Sequence, residues 1–459
     1  MYNWLVPRVV FPLHERLTGH DFWSGFQELK TVQWYPQEEL LARSFRKAKR
    51  LLAHAYEYVP HYHELFQKAG ITPADIRELS DFSQIPVTTK SAIRRGFPEK
   101  VTAANLPESR KRKGLTSGST GMPLEFFTDV GCLDMVRSSH LLFLSWTGIG
   151  PWVPRLVIAN AAHFYAHWPT GSALQRYLRK YLLGEKFARV QGWDLTVDEF
   201  VEHVGNVQRF GTYYVLSFPS YANRLAIELI ERELKLPAYP KAFVSTGETI
   251  TKPDEILLGK AFRCKVHNHY GLLEVPSLAQ ACPDHPELLH VNTERAIVRV
   301  VRSDGTDASV GEEGHILVTD LANHVMPLIN YDSGDFGALG PQCPCGRGFP
   351  TIARLEGRAS EVIRTPSRTI LSSLTLGPLL FDVAQAFPYV WEYQAVQLAP
   401  DRVLLRVVPT TSFTVEVGEK LKKDLEEVLG PGMTVTVEAV ERIELERSGK
   451  RLIIKSALS

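Results

Sequence analysis

Apolar residues recur at helical spacing in some segments of the chain and form short continuous runs in others. Between residues 36 and 59 they return every three or four positions, which predicts an amphipathic helix that stops at Pro60. Further helices are predicted at 129–146 and 221–236, and buried strands at 155–160, 213–217 and 242–245. Because helices and strands alternate, we predict an α/β fold in which helices cover mixed sheets.

The pattern changes beyond residue 358. The predicted elements there are a hairpin at 396–398 and 403–408, a helix with one apolar face over 417–428, and a strand at 433–439. Together they predict a small α+β domain. Since 459 residues are too many for one ordinary core, we predict a large N-terminal domain over 1–357 and a small C-terminal domain over 358–459.

Composition and charge narrow the class of protein. The net charge of +1 favours neither a nucleic-acid partner nor an acidic tail. Five cysteines in so long a chain do not make a disulfide framework, which favours a reducing compartment. No apolar run approaches the roughly 20 residues of a membrane-spanning helix, and Pro7, Arg8 and Pro12 interrupt the N-terminus where a signal peptide would be apolar. We therefore predict a cytoplasmic protein without a transmembrane segment.

A loop of small and hydroxylic residues follows the basic run 110–113. It reads Thr116, Ser117, Gly118, Ser119, Thr120, Gly121, Met122 and Pro123. Glycine allows close backbone approach to a ligand, and successive N–H groups with added hydroxyls form a concavity for anions. A patterned segment resumes at once at 124–127, which a flexible linker rarely shows, so a phosphate-binding loop is favoured over a linker. No Gly-Lys-Ser/Thr closes it, which excludes a Walker-type loop.

Four further clusters and a C-terminal lysine come later in the chain. In order they are Ser245-Thr246-Gly247-Glu248, His269-Tyr270-Gly271-Leu272-Leu273-Glu274, Tyr331-Asp332-Ser333-Gly334-Asp335, Gly357-Arg358 and Ser448-Gly449-Lys450. Each alone is an ordinary turn sequence. Lys90, at a predicted helix start, is either a solvated surface residue or a residue that faces phosphate.

Taken in order, these motifs resemble those of the adenylate-forming superfamily, and within it the phenylacetate–CoA ligase and CapK-like branch. Residues 116–123 are similar to the phosphate loop, 270–274 to the adenine and magnesium motif, and 331–335 to the ribose motif. Gly357-Arg358 resembles the hinge motif, and Ser448-Gly449-Lys450 the motif of the mobile C-terminal lysine. The resemblance runs nearly from end to end.

The resemblance implies an adenylating N-terminal domain, a mobile C-terminal domain and a role for each motif. Lys450, Glu274 and Arg358 would be catalytic, with Glu274 holding Mg²⁺, whose preferred ligands are oxygens. ATP would be bound by Thr116, Ser117, Gly118, Ser119, Thr120, Gly121, Ser245, Gly247, Glu248, Tyr270, Gly271 and Asp335. The implied reaction joins a carboxylic acid to ATP to give an acyl-adenylate and pyrophosphate. Transfer to coenzyme A then yields a thioester and AMP, as in an acyl-CoA synthetase.

Two other functions stay open. An adenylating enzyme of this kind could instead transfer the acyl group to an amine, a hydroxyl or a carrier protein, or the chain could be a non-catalytic nucleotide-binding zinc scaffold. Three residues depart from the superfamily pattern, namely Met122 for lysine, Asp332 for arginine and Ser360 for the acidic hinge residue. Lys455 is a rival for the role of Lys450.

Three cysteines and a histidine form a second candidate site. Cys282 and His290 are followed by Cys343 and Cys345, and three thiolates with one imidazole make a closed structural zinc set. The branch commonly shows this pattern, which favours zinc over a turn with free thiols. His285 is the alternative histidine.

Signals for the acid are few. Phe218, Pro219 and Tyr221 come between a predicted strand and helix, where the acyl pocket is expected, although the core is the favoured place for each aromatic residue. Such a wall favours an aryl or medium apolar acid. The sequence names neither the acid, the acceptor nor the oligomeric state, although a homodimer is possible.

Overall fold

The computed structural model describes residues 6–116, 124–150, 153–159, 187–191, 195–358, 362–365, 370–372, 389–446 and 451–456. Its α-helices are α1 Phe11–Thr18, α2 Phe22–Val32, α3 Gln37–Tyr58, α4 Pro60–Ala69, α5 Lys90–Gly96, α6 Val130–Trp146, α7 Val197–Gln208, α8 Pro219–Glu231, α9 Lys252–Phe262 and α10 Val415–Leu429. Among the described helices, none combines the length and apolar character that crossing a membrane requires.

The strands number nineteen within the described ranges. They are β1 Arg112–Leu115, β2 Glu125–Thr128, β3 Arg155–Ala159, β4 Phe187–Gln191, β5 Tyr214–Ser217, β6 Ala242–Thr246, β7 Lys265–Tyr270, β8 Ala279–Ala281, β9 Leu289–Val291, β10 Ala296–Val301, β11 Glu313–Asp320, β12 Tyr331–Leu339, β13 Thr351–Arg358, β14 Val362–Arg364, β15 Ile370–Ser372, β16 Val390–Ala399, β17 Arg402–Pro409, β18 Thr434–Ala439 and β19 Ile454–Ser456.

One eleven-stranded sheet runs through most of the chain, in the order β10-β11-β12-β13-β9-β8-β7-β6-β5-β3-β4. From β7 through β6, β5 and β3 to β4 the neighbouring strands are parallel, and from β10 to β7 they are antiparallel. The predicted α/β class with mixed sheets is thereby confirmed. The apolar faces of α7, α8 and α9 pack against the parallel half. This packing helps to bury β5 and most of β6.

A separate four-stranded sheet, in the order β18-β17-β16-β19, ends the described chain, and α10 packs against it. We call this unit the C-terminal sheet. It agrees with the predicted α+β pattern, although β16 and β17 are longer than the hairpin expected from 396–398 and 403–408. β13 pairs within the large sheet as far as Arg358. The division of the chain at residues 357 and 358 stays a prediction.

Three helix boundaries follow from identifiable local chemistry. The predicted helix over 36–59 is observed as α3, and Pro60 then begins α4, a position in which its missing N–H costs nothing. α8 begins two residues before its predicted start, also with a proline at its first position, and ends at Glu231 rather than 236. The Thr89 side chain caps α5 by accepting from the Ala92 amide, and this places Lys90 at the first residue of the helix.

Candidate functional site

The carboxyl ends of three adjacent parallel strands bring several predicted residues to one edge of the large sheet. β5 leads into Phe218, β6 into Gly247, and β7 into Gly271. Ligands of open α/β sheets bind at such an edge, beyond the carboxyl ends of the strands. Residues that lie far apart in sequence therefore surround one location.

Gly247 and Gly271 allow close backbone approach at this edge. Gly247 has a φ of +81°, and a β-carbon there would lie 2.2 Å from the ring of Phe218. A β-carbon at Gly271 would lie 2.7 Å from the amide nitrogen of Ser277. Real β-carbons do not make such contacts, so both positions require glycine.

Tyr270 and Asp335, the predicted adenine and ribose residues, contact each other. The Tyr270 hydroxyl donates a 2.8 Å hydrogen bond to Asp335 Oδ2. Burial, and next the Asp335 carboxylate, hold the pKa of the Tyr270 phenol well above its ordinary value. The phenol is therefore a neutral donor at physiological pH.

Glu274, the predicted magnesium ligand, is buried and has two close partners. Its Oε1 accepts a 2.7 Å hydrogen bond from the Tyr331 hydroxyl, and Lys90 Nζ lies 3.3 Å from the same oxygen. Burial alone would raise the pKa of Glu274, but the Lys90 charge and the Tyr331 hydrogen bond outweigh it and lower the pKa. The carboxylate is ionised at neutral pH, the form in which it can hold a hard cation.

Lys90 is the site residue that the sequence left undecided. It is only partly exposed, and its ion pair joins α5 to the loop after β7 across a long stretch of chain. The available signal was the Thr89 cap, because a capped helix start fixes the direction of the next side chain. The segment 85–90 also lies within the region that resembles the superfamily.

The ribose and hinge motifs are neighbours in the antiparallel half of the sheet. Asp335 on β12 stands directly opposite Arg358 on β13. Asp332, which departs from the superfamily pattern, accepts a 2.9 Å hydrogen bond from the Gly334 amide and so forms a local turn, with Gly334 at a φ of +79°. The Arg358 side chain, like Ser360, is outside the described part of the structure.

The base of the predicted phosphate loop is formed by the β1–β2 hairpin. The Thr116 amide donates to the Leu124 carbonyl at 2.9 Å, and the Leu124 amide donates to Thr116 Oγ1 at 2.8 Å. The hydroxyl of Thr116 is thus used within the hairpin. Residues 117–123 and Lys450 lie outside the described residues, so their roles stay predictions.

Two of the predicted ATP-binding side chains on β6 and its following loop have contrasting environments. Ser245 Oγ is buried without a hydrogen-bond partner among the residues that the structure describes. Glu248, by contrast, accepts from the Ser220 amide at 3.0 Å, the Ser220 hydroxyl at 2.9 Å and the Arg451 amide at 3.0 Å. Its carboxylate therefore stabilises the first turn of α8 and contacts the C-terminal sheet.

The predicted acyl-pocket residues are all buried. The rings of Phe218 and Tyr221 are 5.6 Å apart and stacked, and Pro219 occupies the first turn of α8. Phe218 faces Gly247 at the sheet edge, whereas Tyr221 packs within the core under α8. Their role in binding the acid stays a prediction.

The four predicted metal ligands come together. The ligand atoms of Cys282, His290, Cys343 and Cys345 all lie within 4.8 Å of one another. Cys282 directly follows β8, His290 lies on β9, and Cys343 and Cys345 lie between β12 and β13. His285 instead lies 3.6 Å from Glu287 and takes no part in this group.

One sulfur–sulfur distance in this cluster fits tetrahedral metal coordination. Zn–S bonds of about 2.3 Å at a tetrahedral angle separate two sulfurs by ~3.8 Å, and the Sγ atoms of Cys282 and Cys343 are 3.7 Å apart. Cys345 Sγ lies 3.3 Å from His290 Nε2, while His290 Nδ1 lies 3.2 Å from the Phe349 carbonyl. That backbone contact orients the imidazole so that Nε2 faces the sulfurs.

Sequence comparisons identify relatives over most of the chain. A family model described as the CapK C-terminal domain matches residues 376–457. Phenylacetate-coenzyme A ligase of Thermus thermophilus is 27% identical over 86% of this chain and 87% of its own length. The Escherichia coli enzyme of the same name is also 27% identical, over 73% and 75%. Protein CapK of Staphylococcus aureus is 20% identical over 85% and 83%.

Solved structures show the same fold. A 2-hydroxyisobutyryl-CoA ligase in the postadenylation state, in complex with R3-HIB-AMP, is 18% identical with a TM-score of 0.76, over 93% of this chain and 91% of that one. The same ligase in the thioesterification state, in complex with 2-HIB-AMP and CoA, gives a TM-score of 0.60 at 20% identity, over 93% and 92%.

Proposed function

We infer that this chain is a homologue of the phenylacetate-coenzyme A ligases and of CapK, with the adenylate-forming fold. The resemblance inferred from sequence is confirmed by these relatives. The chain activates a carboxylic acid with ATP to form an acyl-adenylate, releases pyrophosphate, and transfers the acyl group to coenzyme A to give a thioester and AMP.

The observation that carries this proposal is the proximity of two polar pairs, one between the end of β7 and the middle of β12, the other between the loop after β7 and the start of α5. Tyr270 with Asp335 offers a ring and a ribose acceptor, and Glu274 with Lys90 offers a carboxylate beside an ammonium group. Attack of a carboxylate on the α-phosphorus needs a fixed geometry and neutralised negative charge. These residues provide both kinds of group at one edge of the sheet.

Each residue of the proposed site has a definite task. The Tyr270 ring packs against the adenine, and Asp335 accepts from the ribose hydroxyls. Ionised Glu274 holds Mg²⁺, which supplies charge neutralisation at the phosphates when bound. Lys90 fixes the Glu274 carboxylate and adds a positive charge nearby. Lys450 would contribute the same kind of charge at the bridging oxygens.

The Cys/His cluster serves as a structural zinc site in this proposal. Four protein ligands complete a tetrahedral shell and leave no open position for substrate or water, which distinguishes a structural site from a catalytic one. Its ligands connect the β8–β9 segment to the loop between β12 and β13. Zinc would therefore hold together the antiparallel part of the sheet that carries Asp335.

The acid is proposed to be aryl or medium apolar, on the basis of Phe218 at the sheet edge. A second acceptor is the alternative, because residues 376–457 match the CapK model while a relative that aligns over 86% of the chain is a coenzyme A ligase. An amine, a hydroxyl or a carrier protein would then replace coenzyme A in the second step only.

The test is ATP–pyrophosphate exchange with a panel of aromatic and fatty acids, followed by AMP release with and without coenzyme A. Exchange with at least one acid and faster AMP release with coenzyme A are expected. Exchange that coenzyme A does not accelerate would favour the other acceptor. A completely silent panel alongside measurable ATP binding would refute the enzymatic function in favour of a nucleotide-binding scaffold.

A further inference from the structure

Arg451, the residue directly after the predicted catalytic lysine, makes three polar contacts, two of which join the C-terminal sheet to residues that follow β6. Its Nη2 lies 3.1 Å from Asp254 Oδ1, its Nη1 lies 3.2 Å from Glu392 Oε1, and its amide donates to Glu248 Oε1 at 3.0 Å. We call these four residues the docking cluster. None of the sequence motifs included Arg451, Asp254 or Glu392.

The members of the docking cluster come from both parts of the chain. Glu248 follows β6 and Asp254 lies in the first turn of α9, whereas Glu392 is on β16 and Arg451 precedes β19. The side chains of Arg451, Asp254 and Glu392 are buried, and Glu248 is half-buried. The guanidinium group of Arg451 therefore contacts two carboxylates. One, Glu392, belongs to its own sheet, and the other, Asp254, belongs to α9.

The large-sheet side of the cluster is held in place by its own hydrogen bonds. Asp254 Oδ2 accepts from the Thr251 amide and hydroxyl, and Oδ1 accepts from Asn223 at 2.6 Å. Glu248 is bound by the amide and hydroxyl of Ser220. Arg451 thus docks onto a preorganised pair of carboxylates rather than onto mobile surface groups.

Two further contacts accompany Arg451. Trp391 Nε1 donates a 2.7 Å hydrogen bond to Glu231 Oε1, and the side chains of Trp391 and Leu445 pack against the core beneath α8 and α9. Neither this hydrogen bond nor the apolar packing adds a positive charge to the contact. The charge balance of the contact depends on Arg451, because the carboxylates of Glu248, Asp254 and Glu392 all lie close to it, those of Asp254 and Glu392 being buried and that of Glu248 half-buried.

Without the guanidinium group this arrangement is unfavourable. Removing one partner of a buried ion pair leaves an uncompensated charge, which is strongly destabilising. Burial raises the pKa of Glu248 and of Glu392, an effect that the Arg451 charge opposes, while Arg224 adds a second positive charge near Glu392. Separation of the two parts would let water reach all three carboxylates. The cluster therefore favours the docked arrangement only while Arg451 is present.

We propose that Arg451 is a positioning residue for the adenylation half-reaction. Its contacts with Asp254 and Glu248 dock the C-terminal sheet against the large sheet, and this docked arrangement favours adenylation. This inference rests on the proposed function. Consecutive α-carbons are about 3.8 Å apart, so fixing Arg451 limits where the preceding residue in the chain, Lys450, can be presented. Transfer to coenzyme A would then require release of the contact. The TM-score is higher for the postadenylation structure than for the thioesterification structure, which supports this assignment.

The test compares Arg451→Met with Arg406→Met. Arg406 is the matched control, since its ion pair with Glu438 is exposed and lies within the C-terminal sheet. Arg451→Met should lower kcat for pyrophosphate exchange on the order of 100-fold, the loss typical of a misplaced reacting group. KM for ATP should change little, and thioester formation from supplied acyl-adenylate should be unchanged or faster. Arg406→Met should behave as the wild type in both half-reactions.

Arg451→Lys separates positioning from folding. One ammonium group retains the charge but cannot bridge Asp254 and Glu392 as a planar guanidinium does, so exchange should recover partly. Equal loss of both half-reactions in a folded Arg451→Met variant would overturn the proposal, as would wild-type exchange in that variant.

Hydrogen exchange separates this inference from the proposed function. The amides of Ser220 and Arg451, both bound to Glu248, should exchange faster in Arg451→Met than in Arg406→Met. An inactive wild-type chain would refute the enzymatic function, whereas unchanged protection of these amides in Arg451→Met would refute the docking contact itself.

Discussion

The phenol of Tyr270 donates a hydrogen bond to the carboxylate of Asp335, although the two residues are 65 positions apart in the chain. β7 and β12 lie in different halves of one sheet, separated by β8, β9 and β13. The hydrogen bond therefore depends on the strand order rather than on either motif alone. It aligns the two side chains that we propose to bind the nucleoside.

Replacing Asp335 by Ala should weaken ATP binding, since it removes the proposed ribose acceptor and leaves the Tyr270 hydroxyl without its partner. Loss of a hydrogen bond to a charged group costs about 1.5–3 kcal/mol, so KM for ATP in pyrophosphate exchange should rise on the order of tenfold or more. Tyr213→Phe is the control, because it removes a buried tyrosine hydrogen bond, to the Ala238 carbonyl, at a different place. An unchanged KM in Asp335→Ala would contradict the assignment.

Replacing Lys90 by Met should reduce the rate of adenylation while the protein stays folded. The change removes the positive charge beside Glu274, so the pKa of that buried carboxyl should rise and its ionised, magnesium-binding form should become less favourable. We expect a loss of 10²-fold or more in exchange, typical of a preorganised electrostatic group, and a higher Mg²⁺ requirement. Lys100→Met, which removes an exposed ion pair with Glu64, should have no such effect.

Lys450→Ala should abolish adenylation and largely spare thioester formation from supplied acyl-adenylate. The reason is that its point charge is needed only while negative charge develops at the phosphates. Lys455→Ala serves as the control, because Lys455 pairs with Glu446 at 2.9 Å in the structure. Equal loss of both half-reactions in Lys450→Ala, or a larger loss of adenylation in Lys455→Ala, would show that Lys450 is not the catalytic lysine of adenylation.

Metal analysis of the purified protein should find roughly one zinc ion per chain, as expected of a single closed four-ligand site. Replacing Cys343 and Cys345 by Ser should remove the metal and lower the unfolding temperature, because metal binding stabilises the folded state. Cys264→Ser should retain the metal, since Cys264 packs against another part of the core. A folded wild-type protein without metal would refute the site.

Glu294→Gln should lower the stability of the protein at neutral pH and make that stability less dependent on pH in the acid range. Glu294 Oε1 lies 2.6 Å from Arg43 Nε and Oε2 lies 2.5 Å from Lys47 Nζ. Burial alone would raise the pKa of this carboxyl, but the two cations outweigh it and lower the pKa in the folded state. The contribution of Glu294 to the free energy of unfolding is therefore fully present above the pKa of the unfolded state, about 4.3. It is lost as the pH falls through the lowered pKa of the folded state.

Denaturant unfolding between pH 3 and pH 7 measures this effect. The free energy of unfolding should fall by about 1.5–3 kcal/mol at neutral pH in Glu294→Gln, and the difference from the wild type should shrink toward acid. Glu313→Gln is the comparison, since it removes an exposed ion pair with Arg354. A difference that grows as the pH falls would have the wrong sign for this explanation.

Local sequence was sufficient for several features of this protein. Apolar spacing predicted the helices and strands because burial of one face imposes a repeat of 3.6 or 2 residues whatever the tertiary context. The Cys/His set was also predictable, since few residue types bind zinc and their order along the chain restricts the choice. The motifs at Tyr270, Glu274 and Asp335 were recognisable because nucleotide chemistry demands particular side chains.

The tertiary structure decided which of these residues meet. That Lys90 pairs with Glu274, and that His290 rather than His285 joins the cysteines, depends on how α5, β9 and their neighbours pack. Arg451 has no distinguishing local pattern, and its partners come from β6, α9 and β16. Contacts between distant segments are set by strand order and by packing of whole elements, which a local pattern does not encode. Sequence therefore determined the chemical groups of the proposed site, and the fold determined the distances and charges through which they act.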